Sequence, residues 1–278
     1  MRTGKEGYAL KTRVITALIG LALMTAVLLL PPIVLYIVIA LIAVIALLET
    51  LSVCQLRQNV PLLVMASLFA GVTPFFGLIG GAFYFLIAAS VFLFALIVMQ
   101  ICCHQTVKIA DTATTCFLSL IVALGISSVA YCRTLPQDGL FYFLLTIFIA
   151  WGSDTGAYFV GTFFGKHKLC PHISAKKTVE GFVGGWVASI GFSLLLAFVY
   201  AQCVDTTMLY GRVALVAFVL APISVLGDLF ASVIKRQHNA KDYGNIMPGH
   251  GGLMDRFDSL LFVSPMLFAG VHIFTLTM

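Results

Sequence analysis

A dense group of ionisable side chains occupies residues 227–259, GDLFASVIKRQHNAKDYGNIMPGHGGLMDRFDS. It contains four of the eleven acidic residues of the chain, Asp228, Asp242, Asp255 and Asp258. In proteins Mg²⁺ is commonly held by one or two carboxylates together with phosphate oxygens of a substrate. Basic side chains nearby neutralise the charge that develops on the phosphates. The block therefore predicts metal-assisted phosphoryl or nucleotidyl transfer.

Helical spacing groups several of these side chains. If a helix continues to Lys235, then Asp228, Ser232 and Lys235 form one stripe that faces the interior of a bundle. Asp255 and Asp258 are three residues apart and share a face if the next helix begins there. The PGHGG turn between the helices contains His250, which either contacts phosphate, donates a proton or only holds the turn.

A lysine-rich loop, GKHKLCPHISAKKTVEG, spans residues 165–181. Ser174 and Thr178 flank the pair Lys176-Lys177, and a helix is predicted to begin near Glu180. Lysines, hydroxyl groups and a helix N-terminus together suit a phosphate-rich ligand. The alternative is that these lysines only set the topology or contact anionic headgroups.

An acidic residue, Asp154, lies near the end of an apolar segment in WGSDTGAYFVGTFFGKHKL, residues 151–169. An acid in such a position is costly and marks a functional site. The alternative is a structural acid that is hydrogen-bonded to neighbouring Ser or Thr side chains. The glycines around it allow helices to approach closely, which is common in membranes.

Apolar segments must position these groups, because the chain is 61% hydrophobic and only 10% charged. Soluble domains have about 25% charged residues, so this balance predicts an all-α, polytopic membrane helical bundle. The seven scattered cysteines form no CxxC pair and predict neither a disulfide framework nor a zinc site. About nine spans are predicted: Val14–Leu30, Ile33–Leu51, Leu62–Ile79, Ala82–Cys102, Thr112–Tyr131, Leu140–Val160, Phe182–Ala201, Val213–Ile234 and Leu260–Thr277.

The basic residues predict the orientation of these spans. With the N-terminus in the cytoplasm, all of the sixteen basic residues except Arg133 and Arg212 fall on the cytoplasmic side. The C-terminus is then periplasmic, as expected for an inner-membrane protein, and the polar blocks face the cytoplasm. This placement explains the net charge of +5 without a nucleic-acid partner. We predict an N-terminal membrane scaffold (residues 1–139) and a catalytic half (residues 140–278) within one compact unit.

The block Ser232–Ser259 resembles the signature of the CDP-diacylglycerol synthase (phosphatidate cytidylyltransferase) family. That pattern runs Ser, any residue, apolar, Lys-Arg, four residues, Lys-Asp, then Pro-x-His-Gly-Gly and Asp-Arg-apolar-Asp, and the block has no mismatch. The segments SDTGAYFVG, FGKHKL, KKT and EGFVGG resemble the family as well. The resemblance is strong over Trp151–Ser259, and the first five spans match only in general character.

The resemblance implies transfer of CMP from CTP to phosphatidic acid, which gives CDP-diacylglycerol and pyrophosphate. It also implies Mg²⁺, a second monovalent cation such as K⁺, and a homodimer in the lipid bilayer. The resemblance makes Asp228 and Asp255 the metal ligands. Because Lys235 is about 10 Å along the helix from Asp228, a divalent cation shared with Asp255 compensates the charge of Asp228 better than Lys235 does. The implied catalytic residues are Asp228, Lys241, Asp242, Asp255 and Asp258. The implied substrate-binding residues are Asp154, Ser174, Lys176, Lys177, Thr178, Ser232, Lys235, Arg236, His250 and Arg256.

Three other functions are alternatives to this one. A CTP-dependent lipid kinase of the dolichol-kinase type transfers the γ-phosphoryl group and releases CDP. A CDP-alcohol phosphotransferase needs a spaced Asp-Gly, Ala-Arg, Gly, Asp, Asp motif that this sequence does not contain. An ion-coupled transporter would use Asp154 and Asp228 as ion sites, but the polar groups cluster at one side of the membrane and no internal repeat is present.

Overall fold

The computed structural model describes residues 20, 22–246, 251–273 and 275–277. These residues form a helical bundle, as predicted, with one short hairpin of two strands. The helices are α1 (Pro32–Val53), α2 (Val60–Val72, continued by a 3₁₀ turn, Thr73–Leu78), α3 (Ala82–Cys102), α4 (Ile109–Arg133), α5 (Gly139–Phe164), α6 (Val179–Val204), α7 (Tyr210–Gln237), the one-turn α8 (Met254–Phe257) and α9 (Leu260–Ile273). The strands are β1 (Lys168–Cys170) and β2 (Ser174–Thr178).

Seven helical segments in the described part of the chain are long and apolar enough to cross a membrane. They correspond one to one with the second to eighth predicted spans, so this is an integral membrane protein. Most of the predicted span Val14–Leu30 lies outside the described residues, although residues 22–29 are helical. The total of nine spans stays a prediction.

The last predicted span, Leu260–Thr277, was too long. The helix ends at Ile273 and has 14 residues, because the segment after it pairs with the chain before α7. Thr277 forms an antiparallel bridge with Met208, and the Leu276 carbonyl accepts a hydrogen bond from the Leu209 N–H. These extended residues satisfy their backbone groups against a neighbour instead of within a helix.

Helix α4 is the central helix of the bundle. Its most apolar stretch is 72% buried, whereas that of α3 is 11% buried, so α3 lies at the periphery. Gly125 lets α9 pack closely against α4, because a Cβ added there would lie 2.6 Å from the Leu261 Cα of α9. One buried cluster joins Leu35 of the predicted scaffold to Leu261 of the predicted catalytic half. The division of the chain at residue 139 stays a prediction.

Helices α5 and α6 pack backbone to backbone along glycine positions. A Cβ on Gly156 would lie 2.3 Å from the Ala188 Cβ, and one on Gly185 would lie 2.4 Å from the Ser153 carbonyl oxygen. The Ser189 hydroxyl also donates to the Ile149 carbonyl across this interface. Small residues allow such close packing in membranes. Asp154 directly follows Ser153 at this contact, so the packing of α5 against α6 holds its backbone in a fixed position.

Helix α7 contains Pro222, which has no N–H to donate to the carbonyl of Phe218 four residues earlier. The indole N–H of Trp186 on α6 donates to that carbonyl at 2.7 Å. A side chain of the neighbouring helix thus satisfies the group that proline leaves unpaired. This hydrogen bond fixes α6 against α7 at Phe218, about three turns before Asp228.

Candidate active site

A cavity of about 400 Å³ lies among α5, the hairpin, the first turn of α6, α7 and the segment 254–258. Its volume lies within the usual range for small-molecule sites. Five aspartates and four basic side chains line its polar part, and apolar side chains line the rest. The described lining residues are Asp154, Ala157, Tyr158, Leu169, Lys176, Lys177, Thr178, Gly181, Phe182, Val225, Asp228, Lys235, Asp242, Asp255, Arg256 and Asp258.

The stripe predicted on α7 is present. Asp228 and Lys235 both line the cavity, whereas Ser232 is buried beside them and lies outside the lining. The Ser232 hydroxyl donates a long hydrogen bond of 3.4 Å to Oδ1 of Asp228. In this arrangement Ser232 orients the carboxylate, and its predicted contact with substrate stays a prediction.

Two lysines compensate the acids that were predicted to share a metal ion. Lys177 Nζ lies 2.6 Å from Asp228 Oδ2, and Lys235 Nζ lies 2.6 Å from Asp255 Oδ1. Sequence spacing correctly excluded a pair between Lys235 and Asp228, but it did not indicate either of these partners. The two pairs differ in exposure: the side chains of the first are 21% and 27% exposed, and those of the second are 9% and 6% exposed.

Asp255 is the most highly connected acid of the site. Its Oδ2 accepts hydrogen bonds from the backbone N–H groups of Tyr243, at 2.8 Å, and Gly252, at 3.0 Å. The Tyr243 ring lies 5.0 Å from Lys235 Nζ, and its hydroxyl donates to the Ala231 carbonyl of α7. Burial raises the pKa of Tyr243, so the hydroxyl stays a neutral donor. Asp255 therefore joins α7, the loop after it and α8.

Asp154 and Asp258 meet through Ser259. The Ser259 hydroxyl donates to Asp154 Oδ2 at 2.9 Å, and its backbone N–H donates to Asp258 Oδ1 at 2.8 Å. Burial raises the pKa of Asp258, and the negative charges of Asp228 and Asp154 raise it further. Asp255 and Asp258 were predicted to begin the last long helix, but they belong instead to the separate turn α8 and its C-terminal cap.

The hairpin contributes Lys176, Lys177 and Thr178 to the cavity. Thr178 is the N-cap of α6, and its hydroxyl accepts a hydrogen bond from the Gly181 N–H. Ser174, at the start of β2, does not line the cavity. The local fold thus turns only the second half of β2 toward the acids.

Arg236 and Lys241 are exposed and do not line the cavity, although each directly neighbours a lining residue. Arg236 donates from Nε to the Ile173 carbonyl and from Nη1 to the Ala240 carbonyl, so it ties the hairpin to the end of α7. Asp242 and Arg256 are exposed at the cavity rim. His250 lies outside the described residues. The substrate contacts of Arg236 and His250, and the catalytic role of Lys241, stay predictions.

Several residues of the site were not predicted. Ser259 and Tyr243 directly follow predicted acids, so their positions beside Asp258 and Asp242 could have indicated them. The apolar lining residues, among them Leu169, Phe182 and Val225, carry no such signal, because they look like any other apolar residue of a span.

Comparison with known proteins identifies the family of this chain. A model of the cytidylyltransferase family matches residues 11–274. The chain belongs to the cytidylyltransferase family.

Similar members of the cytidylyltransferase family include three bacterial proteins named phosphatidate cytidylyltransferase. The protein of Bacillus subtilis is 45% identical over 143 residues, 51% of this chain and 52% of its own. Those of Staphylococcus haemolyticus and Staphylococcus epidermidis are 42% and 44% identical over 155 residues, 56% of this chain and 57% of theirs. The chain thus spans about half the length of the curated relatives it matches.

The cavity of this cytidylyltransferase-family chain has suitable chemistry for Mg²⁺. No group of three or more His, Cys, Asp or Glu side chains forms a ready-made metal site among the described residues. Mg²⁺ does not need one, because it commonly takes one or two carboxylates and completes its shell with substrate phosphates and water. Asp154, Asp228 and Asp258 lie near enough to repel one another, and a cation relieves that repulsion. The ligand pair Asp228 and Asp255 stays a prediction.

The two ion pairs of this cytidylyltransferase-family site make unequal contributions to stability. Lys235→Met leaves Asp255 buried without its counter-charge, which costs about 3–5 kcal/mol. Lys177→Met leaves Asp228, whose side chain is 27% exposed and stays partly hydrated, so the cost is smaller. We expect a clearly lower apparent melting temperature in detergent for Lys235→Met and a smaller change for Lys177→Met. Equal shifts for the two variants would contradict the difference in burial.

Proposed function

We propose that this chain is a phosphatidate cytidylyltransferase, which transfers CMP from CTP to phosphatidic acid and releases pyrophosphate. The observation that carries the proposal is one cavity in which lysines and carboxylates adjoin apolar side chains at the ends of membrane helices. A charged nucleotide suits the polar part, and a lipid with a phosphate headgroup needs both parts. The name shared by the bacterial relatives supports the same activity.

The basic residues of the cavity bind the phosphates in this proposal. Lys176, Lys177 and Arg256 are partly or fully exposed on the cavity wall, where they can reach an incoming anion. They neutralise the charge that develops on the phosphates during transfer. The phosphatidate oxygen is already anionic, so it needs positioning more than a strong general base.

The ion pair between Lys177 and Asp228 is the one that opens. The two side chains are 21% and 27% exposed, although Lys177 Nζ itself is buried against Asp228. Separating these charges therefore costs less than separating Lys235 and Asp255, whose side chains are 9% and 6% exposed. Lys177 then moves from the carboxylate to a phosphate oxygen of the substrate. Asp228 becomes free to hold a cation, and the buried pair between Lys235 and Asp255 keeps the wall in place.

Asp228 and Asp255 hold Mg²⁺ in this proposal, with Asp154, Asp242 and Asp258 supporting them. Asp255 Oδ1 accepts one hydrogen bond, from Lys235, and keeps a second lone pair. When bound, Mg²⁺ neutralises phosphate charge and polarises the phosphorus that is attacked. A second monovalent cation such as K⁺ and a homodimer, both implied by the family resemblance, are further parts of the proposal.

The products distinguish this reaction from that of a CTP-dependent lipid kinase. Purified protein with phosphatidic acid, Mg²⁺ and CTP labelled on the α-phosphate should give labelled lipid, and CTP labelled on the γ-phosphate should give labelled pyrophosphate. Label from the γ-phosphate in the lipid would identify a kinase. Transport of a labelled ion into proteoliposomes without nucleotide would identify a transporter.

Asp228→Asn preserves the size of the side chain and removes its charge. We expect activity to fall about 100-fold or more, or to require much more Mg²⁺, with normal membrane insertion. Asp255→Asn should show the same loss together with lower stability, because it also weakens the pair with Lys235. Asp205→Asn, an exposed acid at the end of α6, is the matched control and should keep normal activity. Normal turnover of Asp228→Asn at low Mg²⁺ would contradict the metal assignment.

We further propose that the N-terminus and the active site face the cytoplasm and the C-terminus faces the periplasm. The bias of the basic residues toward one side supports this orientation. Two native cysteines offer a test, because Cys170 lies in the hairpin before α6 and Cys203 lies near the end of α6. The helix between them is about 36 Å long, which exceeds the roughly 30 Å hydrocarbon core.

Variants that retain only Cys170 or only Cys203 should behave differently toward a membrane-impermeant maleimide. In intact cells we expect the reagent to label Cys203, and to label Cys170 only after the membrane is permeabilised. The reverse pattern would mean the opposite orientation. Labelling of both in intact cells would mean that α6 does not span the membrane.

A further inference from the structure

Glu49 is an acidic residue in the half of the chain that was predicted to be a scaffold. It lies one turn before the end of α1 and is 7% exposed. Its Oε2 accepts a hydrogen bond of 2.8 Å from the backbone N–H of Met254, which is 205 residues later in the chain. Met254 directly precedes Asp255, so Glu49 contacts the backbone that carries the most connected acid of the site.

Two glycines make room for the Glu49 carboxyl group. A Cβ added to Gly244 would lie 2.4 Å from Oε1, and the three atoms nearest to it all belong to Glu49. A Cβ added to Gly252 would lie 2.6 Å from Oε2. Neither Gly244 nor Gly252 has a positive φ angle, unlike Gly251, which lies between them in the chain. Glycine is therefore required at position 244 by the space that Glu49 occupies, not by backbone conformation.

Glu49 and Asp255 hold the same two backbone segments. Asp255 accepts from the N–H groups of Tyr243 and Gly252, while Glu49 accepts from Met254 and packs on Gly244 and Gly252. Glu49 does not line the cavity, whereas Asp255 does. The carboxyl group of Glu49 therefore acts on the site only through the loop.

Burying a carboxyl group at this place is costly, which argues for a specific role. Oε1 finds no hydrogen-bond partner among the described residues. An unpaired buried polar atom costs about 1–3 kcal/mol. If α1 were only a scaffold, an apolar side chain of similar size at position 49 would make the protein more stable. What an apolar residue cannot provide is an acceptor for the Met254 N–H.

We propose that Glu49 is a positioning residue that fixes the loop segments 243–244 and 252–254, and thereby Asp255, against the cavity. Through Glu49, helix α1 helps to position Asp255 in the site. The proposal rests on the proposed cytidylyltransferase activity for its kinetic readout only.

The first test compares three side chains at position 49. Glu49→Gln keeps a carbonyl acceptor for the Met254 N–H and should retain most of the turnover. Glu49→Ala removes the acceptor and should lower kcat about 10- to 100-fold, as is typical when a partner of a ligand-bearing segment is lost, with a much smaller change in the KM for CTP. Loss of kcat in Glu49→Gln equal to that in Glu49→Ala would overturn the role of the hydrogen bond.

The second test is a double-mutant cycle between Glu49 and Gly244. Gly244→Ala should strongly lower kcat in the parent chain, because its Cβ collides with Oε1. The same substitution should cost little when Glu49→Ala is already present, since the colliding group is gone. Gly211→Ala is the control, because nothing lies within 4 Å of a Cβ added there. Additive effects of Glu49→Ala and Gly244→Ala would contradict the contact. If Glu49→Ala does not fold, Glu49→Gln and Gly244→Ala still provide the comparison.

The third test does not depend on activity. Hydrogen exchange of the peptide that contains Gly252 and Met254 should be about tenfold faster or more in Glu49→Ala than in the parent chain, and close to the parent rate in Glu49→Gln. Faster exchange in a protein that makes no CDP-diacylglycerol would refute the proposed function and leave the positioning role intact. Unchanged exchange and unchanged kcat in an active enzyme would refute the positioning role alone.

Discussion

The buried ion pair between Lys235 and Asp255 is the interaction on which the site depends. Two charges that are less than one-tenth exposed are stable only when both are paired and their remaining hydrogen-bonding groups are satisfied. Asp255 meets this condition by accepting from two backbone N–H groups, and so the loop after α7 must fold around it. The position of that loop, of α8 and of the cavity wall follows from this electrostatic requirement.

The bilayer imposes a second constraint, because every backbone group in hydrocarbon needs a partner within the protein. Gly156 and Gly185 let α5 and α6 meet at backbone distance, and Trp186 satisfies the carbonyl that Pro222 leaves unpaired on α7. These contacts hold three helices in fixed register, and two of the three carry acids of the cavity. Rigid helices therefore position Asp154, Asp228 and Lys235, while the hairpin between α5 and α6 supplies Lys176 and Lys177.

The sequence was sufficient to predict the fold class, most of the spans and the acids of the cavity. Apolar run length indicates helices, and an acid in an apolar segment is conspicuous because it is costly. The partners of those acids could not be predicted, because pairs such as Lys177 with Asp228 arise from packing between distant segments. Glu49 shows the same limit, since no spacing rule relates a residue of α1 to a backbone N–H 205 residues later. The end of α9 was missed because pairing of residues 276 and 277 with another segment competes with helix continuation.

The difference in exposure between the two lysine pairs has a mechanistic meaning. In the proposed mechanism one pair opens for substrate and needs the lower cost of separation, which the pair of Lys177 and Asp228 has because its side chains are the more exposed. A pair that must hold the wall needs a high cost, which burial of Lys235 and Asp255 provides. Both aspartates lie on one cavity, yet their surroundings assign one to exchange partners and the other to keep its partner. Among the described residues, the Glu49 carboxyl group contacts the loop that Asp255 also holds, at Gly244, Gly252 and Met254. In the proposed mechanism α1 therefore reinforces the pair of Lys235 and Asp255 and not the pair that opens.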